Sequence, residues 1–322
     1  MSTDVDELVA RAREGSPRAL ARLITLVENA SPQLREVMSA LNPLAGKAQV
    51  IGLTGSPGVG KSTSTSALVT AFRKQGRRVG VLAVDPSSPF TGGALLGDRV
   101  RMQDHATDPE VFIRSMASRG HLGGLAWTTP QAIRVLDAAG CEVILVETVG
   151  VGQAEVDIAS LADSTIVLVA PGMGDSIQAA KAGILEIADL FVVNKADRDG
   201  TQQTVRDLRN MIALADRGLD DWRPPIVATV ASRGEGIDEV TEMLDKHFAW
   251  LAGSGELNRR RLARVRDEVE AIAFNVLRAR MGDLHGDQRL DALAAKVLAG
   301  GCDSYAAADE LVAVLTAAPS AR

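Results

Sequence analysis

Positions 55–63 read Gly-Ser-Pro-Gly-Val-Gly-Lys-Ser-Thr, one residue after the apolar run Val50-Ile51-Gly52-Leu53 and ahead of Ser66-Ala67-Leu68-Val69. Glycines at this spacing let the backbone from Gly55 through Ser56, Pro57, Gly58 and Val59 to Gly60 wrap an anion, with amides and a helix N-terminus pointing at it. Lys61 then reaches the outer phosphates, the Ser62 hydroxyl is placed to ligate Mg²⁺, and Thr63 carries the chain into the helix. The strand before and the helix after are what this chemistry requires. The stretch therefore implies a nucleoside-triphosphate site.

Later apolar runs end in polar residues on their C-terminal side: Asp85 after Val84, Glu147 after Val146, and Asn194-Lys195-Ala196-Asp197 after Val193. In an open α/β sheet ligands sit at that edge. Glu147 places a carboxylate where it can hold Mg²⁺ directly or through water, and the Gly150 amide lies where a γ-phosphate is sensed. The Asp197 carboxylate can accept from both N1–H and the 2-amino group of guanine. Adenine offers no donor at either position, so the carboxylate would be left buried and unpaired. The Lys195 stem can cover the base plane and Asn194 can tie the loop to the phosphate cradle. The base implied is guanine, and the nucleotides are GTP and GDP.

Two segments have the composition of nucleotide-sensing loops. Residues 85–99 are rich in proline, glycine and hydroxyls, and Asp85 and Asp98 are carboxylates that can be drawn toward Mg²⁺ when a triphosphate is bound. An ordinary surface connection is the alternative. The second follows Ala170 as Pro171-Gly172-Met173-Gly174-Asp175-Ser176, with Gln178 and Lys181 beyond; a plain helix start at Asp175 is compatible with it.

These residues need a scaffold. Short β-branched runs at 50–53, 79–84, 143–146, 165–169, 191–193 and 226–230 alternate with helical stretches, which predicts an α/β fold with a mostly parallel sheet covered on both faces. Residues 1–45 read as short helices, with Ser16-Pro17 and Ser31-Pro32 as start signals. Gly253-Ser254-Gly255 breaks the pattern after Trp250, and the remainder is helical. There Leu262, Val265, Val269, Ile272 and Val276 recur at alternating steps of three and four, a seam suited to packing either on its own domain or on a second copy. The divisions expected are 1–45, 46–250 and 251–322.

A chain with 46% hydrophobic residues buries a large core, and its net charge of −6 argues against a partner that is a nucleic-acid backbone. The one dense basic run, Arg259-Arg260-Arg261, reads as a solvated helix start. Cys141 and Cys302 stand in no metal-binding or disulfide spacing. The acidic N-terminus and the lack of a long apolar run predict a cytoplasmic protein, with no membrane association.

The run DPSSPFTGG with LGD, the segment ETVGVGQAEVDIA, PGMGD with KAGILEIAD, and NKAD together resemble the MeaB/ArgK-type GTPases, bacterial relatives of the human methylmalonic aciduria type A protein. The resemblance implies a P-loop GTPase with an N-terminal helical extension and a C-terminal helical arm that makes a homodimer. It implies a partner, adenosylcobalamin-dependent methylmalonyl-CoA mutase, for which GTP hydrolysis gates cofactor loading and protects or rescues the enzyme. By motif, Lys61 and Ser62 bind phosphate and Mg²⁺; Asp85, Asp98 and Glu147 form the metal-linked acidic set; Asn194, Lys195 and Asp197 read guanine; and Lys181 lies at the lysine of a third switch. This chain has Val230-Ala231 where a Ser-Ala pair is usual, so the Ala231 amide is the base contact that carries over. Ser176 and Ala94 also depart from the pattern. A nickel-delivery GTPase would carry Cys or His ligands near its switches, and a kinase linked to amino-acid transport would need an acceptor-activating base.

Overall fold

In runs such as Val79-Gly80-Val81-Leu82-Ala83-Val84 nearly every residue is apolar and β-branched residues recur, so both faces must be covered. That is what the sheet shows in the computed structural model, which describes residues 4–85, 103–105, 107–117, 128–148, 154–172, 186–214, 218, 221–281 and 287–317. Its strands are β1 (Gln49–Thr54), β2 (Val79–Asp85), β3 (Val111–Ala117), β4 (Val143–Thr148), β5 (Ser164–Val169), β6 (Leu190–Asn194) and β7 (Ile226–Thr229). They lie in the order β3-β2-β4-β1-β5-β6-β7, and every neighbouring pair is parallel. All C-terminal strand ends therefore share one edge, where the polar residues singled out above are gathered.

Helices cover the two faces. On one, α1 (Val5–Arg13), α2 (Pro17–Glu28), α3 (Leu34–Leu41), α5 (Thr129–Ala138) and α6 (Ala154–Leu161) enclose Val50, Leu82, Ile144 and Val146. On the other, α4 (Lys61–Lys74) and α8 (Ile237–Ser254) enclose Ile51, Leu53, Val81 and Leu145, while α7 (Thr201–Leu214) closes the β6 end over Val167 and Val193. Successive strand residues point to opposite faces, so Val50 and Ile51 enter different cores. At Gly52 a Cβ would lie 2.5 Å from Ile158 Cγ1, so α6 can lie this close to β1 only because the residue is glycine.

The N-terminal helices are part of the same compact unit as the sheet, Met1–Arg261. Ser16 Oγ accepts from the Ala19 amide with Pro17 behind it, as the Ser-Pro signal predicts. Ser31 differs: its hydroxyl accepts from the Gln33 amide within a turn, and α3 starts only at Leu34. The strand run 226–230 stops at Thr229, and Val230 instead pairs with Glu235 across a tight turn. Strand β3 is absent from the sequence expectation. It is an edge strand whose apolar run is broken by Arg114 and Ser115, and Arg114 reaches across to α2, where it pairs with Glu28 and donates to Thr25 Oγ1.

Helix α8 runs through Gly253 and ends at Gly255, whose φ of 79° is a left-handed stop. Helix α9 (Glu256–Met281) follows. Arg260 and Arg261 in its first turns are not solvated as expected. Arg260 forks onto Asp189 through two 3.0 Å bonds, and Arg261 reaches Asp163 at 2.7 Å and the carbonyls of Gly46 and Ala48. Arg259 alone fits the expectation, being 79% exposed and paired with Glu256.

Leu262–Arg322 forms the second compact unit. Within it Asp287 caps α10 (Gln288–Leu298), Asp303 caps α11 (Ser304–Ala317), and Lys296 pairs with Glu310 at 3.0 Å to join the two helices. On the α9 seam Leu262, Val265, Val269 and Ile272 are exposed, Val269 to 61%.

Candidate functional site

The loop between β1 and α4 is shaped by three left-handed glycines, Gly55, Gly58 and Gly60, with φ of 140°, 83° and 98°. Gly60 is the N-cap of α4, and a Cβ there would strike Asn194 Nδ2 at 2.4 Å. A Cβ on Gly55 would meet the Leu168 carbonyl at 2.3 Å. Larger residues are thus excluded by backbone geometry and by contact with β5 and β6, and the helix N-terminus is left open to an anion. Lys61 and Ser62 are buried at the head of α4. Lys61 Nζ donates to the Gly55 and Ser56 carbonyls at 2.6 and 3.2 Å, which holds its ammonium across the loop.

Glu147 lies at the end of β4, in register with Leu53 of β1 and Ala83 of β2. It is 2% exposed, and its two oxygens accept from Ser62 Oγ at 2.7 Å and Thr65 Oγ1 at 2.8 Å. The sequence reading missed Thr65, although a residue three beyond Ser62 on a helix shares its face. Ser62 Oγ and the Glu147 carboxylate form a cluster of oxygen donors, the donor type that Mg²⁺ prefers.

At the end of β6, Asn194 connects three elements. Its Nδ2 donates to the Val59 carbonyl at 2.8 Å, and its Oδ1 accepts from Thr229 Oγ1 at 3.2 Å and the Ala231 amide at 3.1 Å. The Ala231 amide, expected to contact the base, donates in this structure to Asn194. Lys195 adopts a left-handed φ of 59° and lays Nζ on the Gly58 carbonyl at 2.6 Å. Asp197 accepts from Arg233 Nη2 at 2.9 Å. Thr63, Ala231, Ser232 and Arg233 line one cleft of about 630 Å³ that continues along α4 past Ser66 and Thr70. The loop, Glu147 and the β6 tetrapeptide are thus brought together at one sheet edge. The backbone of Asp85 ends β2 at the same edge. The side chain of Asp85 lies outside the described residues, as do Asp98, Gly150, Lys181 and all of residues 86–102 and 173–185.

The opposite edge holds a second polar group. His247 is 2% exposed, stacks on Trp250 with ring centres 5.8 Å apart, and lies 4.7 Å from Trp222. Ser164 Oγ is 2.8 Å from its Nδ1, and Asp189 Oδ1 is 3.3 Å from its Nε2. Burial pushes this imidazole down to about 4, against the opposing pull of the Asp189 carboxylate. Burial likewise pushes the Cys141 thiol up to about 12, which makes it a packing residue.

The model of the family "Methylmalonyl Co-A mutase-associated GTPase MeaB" matches residues 20–284. The chain is 48% identical over 310 residues to a protein of Pyrococcus abyssi whose GTPase designation is itself provisional, covering 96% of each. It is 39% identical to the GTPase ArgK of Escherichia coli, over 79% of this chain and 78% of that one. The mouse methylmalonic aciduria type A homolog is 34% identical over 96% of this chain and 79% of its own. Among solved structures, that of an LAO/AO transport system kinase superposes with a TM-score of 0.73 at 28% identity, covering 98% of this chain and 99% of that one.

Proposed function

The chain belongs to the MeaB/ArgK family of P-loop GTPases, and on that premise we propose that it is a chaperone whose GTP cycle gates adenosylcobalamin loading of methylmalonyl-CoA mutase and protects or reactivates that enzyme. The observation that carries the nucleotide half is Asn194, whose amide ties the Asn194–Asp197 loop to the phosphate loop at Val59. Base recognition and phosphate binding are thereby held in one rigid frame. The mutase half is supported by the family description and by the mouse relative's name.

In this reading the loop 55–60 cradles the phosphates, and Lys61 exchanges its carbonyl partners for phosphate oxygens. The Ser62 hydroxyl, oriented by Glu147, would hold Mg²⁺ together with the acidic set Glu147, Asp85 and Asp98. When bound, the ion would neutralise negative charge on the phosphates. Asp197 accepts from guanine, and the Lys195 stem covers the ring. Val151 follows Gly150 and can neither donate to nor accept from an attacking water. The protein alone accordingly turns over slowly, at about 10⁻⁴ to 10⁻² s⁻¹. Lys181 is the cation brought to the γ-phosphate when the partner binds.

Residues 46–250 serve as the GTPase domain, 1–45 as its helical extension and 251–322 as the arm of a homodimer in the cytoplasm. No helix of the described residues is long and apolar enough to cross a membrane. The exposed seam supports the dimer: Val269→Glu should give monomers by light scattering, and an intact dimer in that variant would exclude the seam as the contact.

Single-turnover hydrolysis of γ-labelled GTP with and without the mutase tests the whole reading. The expected outcome is slow release of phosphate to water, accelerated by the mutase. Fast turnover by the protein alone, or no response to the mutase, overturns the partner-gated cycle. Label appearing on an amino-acid transport protein would instead identify a kinase, the activity named for the solved relative.

A further inference from the structure

The described residues give the Asp197 carboxylate one charged partner, Arg233, and the sequence reading assigns that residue no role. Arg233 closes the short turn Ala231–Arg233 after β7. The turn is fixed on both sides: the Arg233 amide donates to the Val230 carbonyl at 2.9 Å, and Val230 and Glu235 exchange backbone bonds at 3.1 and 3.3 Å. Gly236 passes so close to β7 that a Cβ there would lie 2.3 Å from the Ala228 carbonyl. From this platform the guanidinium reaches Asp197 with Nη2 at 2.9 Å and Glu235 with Nη1 at 3.5 Å. It also lines the cleft that contains Thr63 and Ala231.

An aspartate that reads guanine must hold both oxygens in the plane of the base, yet its χ2 is a broad, soft rotor. Asp197 is 39% exposed, so packing alone does not fix that rotor. Val230, the residue before Ala231, has no hydroxyl with which to do so. We propose that Arg233 is a positioning residue for base recognition: it pins Asp197 Oδ2 from the side, setting the carboxylate plane that meets guanine N1–H and the 2-amino group. The inference rests on the guanine reading above. It is sterically consistent, because each carboxylate oxygen carries two lone pairs, and Oδ2 can serve Arg233 and the base together. An exposed ion pair of this kind adds little to folding stability, so its removal isolates the effect on recognition.

The test is binding of GDP and IDP, which lacks the 2-amino group, to the full chain carrying Arg233→Ala, Arg233→Lys or Asp197→Asn. Thermal melting checks that each variant is folded. Arg233→Ala should weaken GDP by about tenfold and IDP by less, so that the GDP to IDP preference shrinks several-fold. Arg233→Lys, which keeps the charge but not the fork, should recover only part of it. An unchanged preference in Arg233→Ala, or tighter GDP binding, would mean that Arg233 is a bystander or a competitor, and overturns the inference. If Asp197→Asn also leaves the preference intact, the guanine reading itself fails. If Asp197→Asn abolishes the preference and Arg233→Ala does not, only the role of Arg233 falls.

Discussion

Arg261 Nη2 lies 2.7 Å from Asp163 Oδ2, and that carboxylate is wholly buried while also accepting from the Val50 amide at 3.0 Å. The pair fastens the first turns of α9 to the start of β5 and β1. Arg261→Ala would remove a charged partner from this buried carboxylate, and should lower stability by about 3 kcal/mol. Urea denaturation measures this; a loss under about 1 kcal/mol would place the pair with ordinary surface contacts.

Glu147 accepts from Ser62 and Thr65 at once. Glu147→Gln keeps the shape and removes the charge. The Mg²⁺ concentration needed for half-maximal hydrolysis should rise by about tenfold or more. A magnesium titration of turnover decides it, and an unchanged curve would take Glu147 out of the metal's surroundings.

Asp197→Asn replaces one acceptor oxygen with a donor facing guanine's own donors. Preference should move toward xanthine, which presents a carbonyl there. Competition among GTP, XTP and ATP is the measurement, and retained preference for GTP would sink the assignment of Asp197 to the base.

His247 sets an acid limit on stability. Burial depresses its imidazole from the ordinary 6.5 to about 4. Between those values the unfolded chain takes a proton that the folded one refuses, so protons favour unfolding. Stability should be unaffected by this group above pH 6.5 and fall by about 1.4 kcal/mol per pH unit below it, until pH 4. Denaturation at pH 7.5 and 5 should show a shallower loss in His247→Gln. Equal slopes in the two proteins would remove His247 as the cause.

The phosphate loop was legible because its physics is local: the glycines at 55, 58 and 60 and the Lys-Ser that follows state their backbone geometry in nine consecutive residues. The fold class was legible for a similar reason, since apolar runs such as 79–84 declare burial on both faces. Pairings between distant residues were not. Nothing near Arg261 in sequence shows that its partner is Asp163, ninety-eight positions earlier, and the run 259–261 accordingly looked solvated. Strand β3 was hidden because Arg114 breaks its pattern, and the reason for Arg114 is Glu28 on a helix eighty-six positions away. Arg233 was overlooked because a lone arginine in a glycine-rich turn has no spacing that marks it.

The aromatic corner under the sheet also has an optical consequence. The chain has three tryptophans, and two of them, Trp222 and Trp250, stand 5.9 Å apart against the His247 ring. Trp222 donates Nε1 to the carbonyl of Asp189, the residue that also receives Arg260. Indole emission from this pair is governed by its neighbours: an imidazolium quenches it and a neutral ring does so far less. Ultraviolet fluorescence therefore offers a label-free gauge of how the start of α9 is rooted, written into the native chain and read at the sheet edge opposite the phosphate loop.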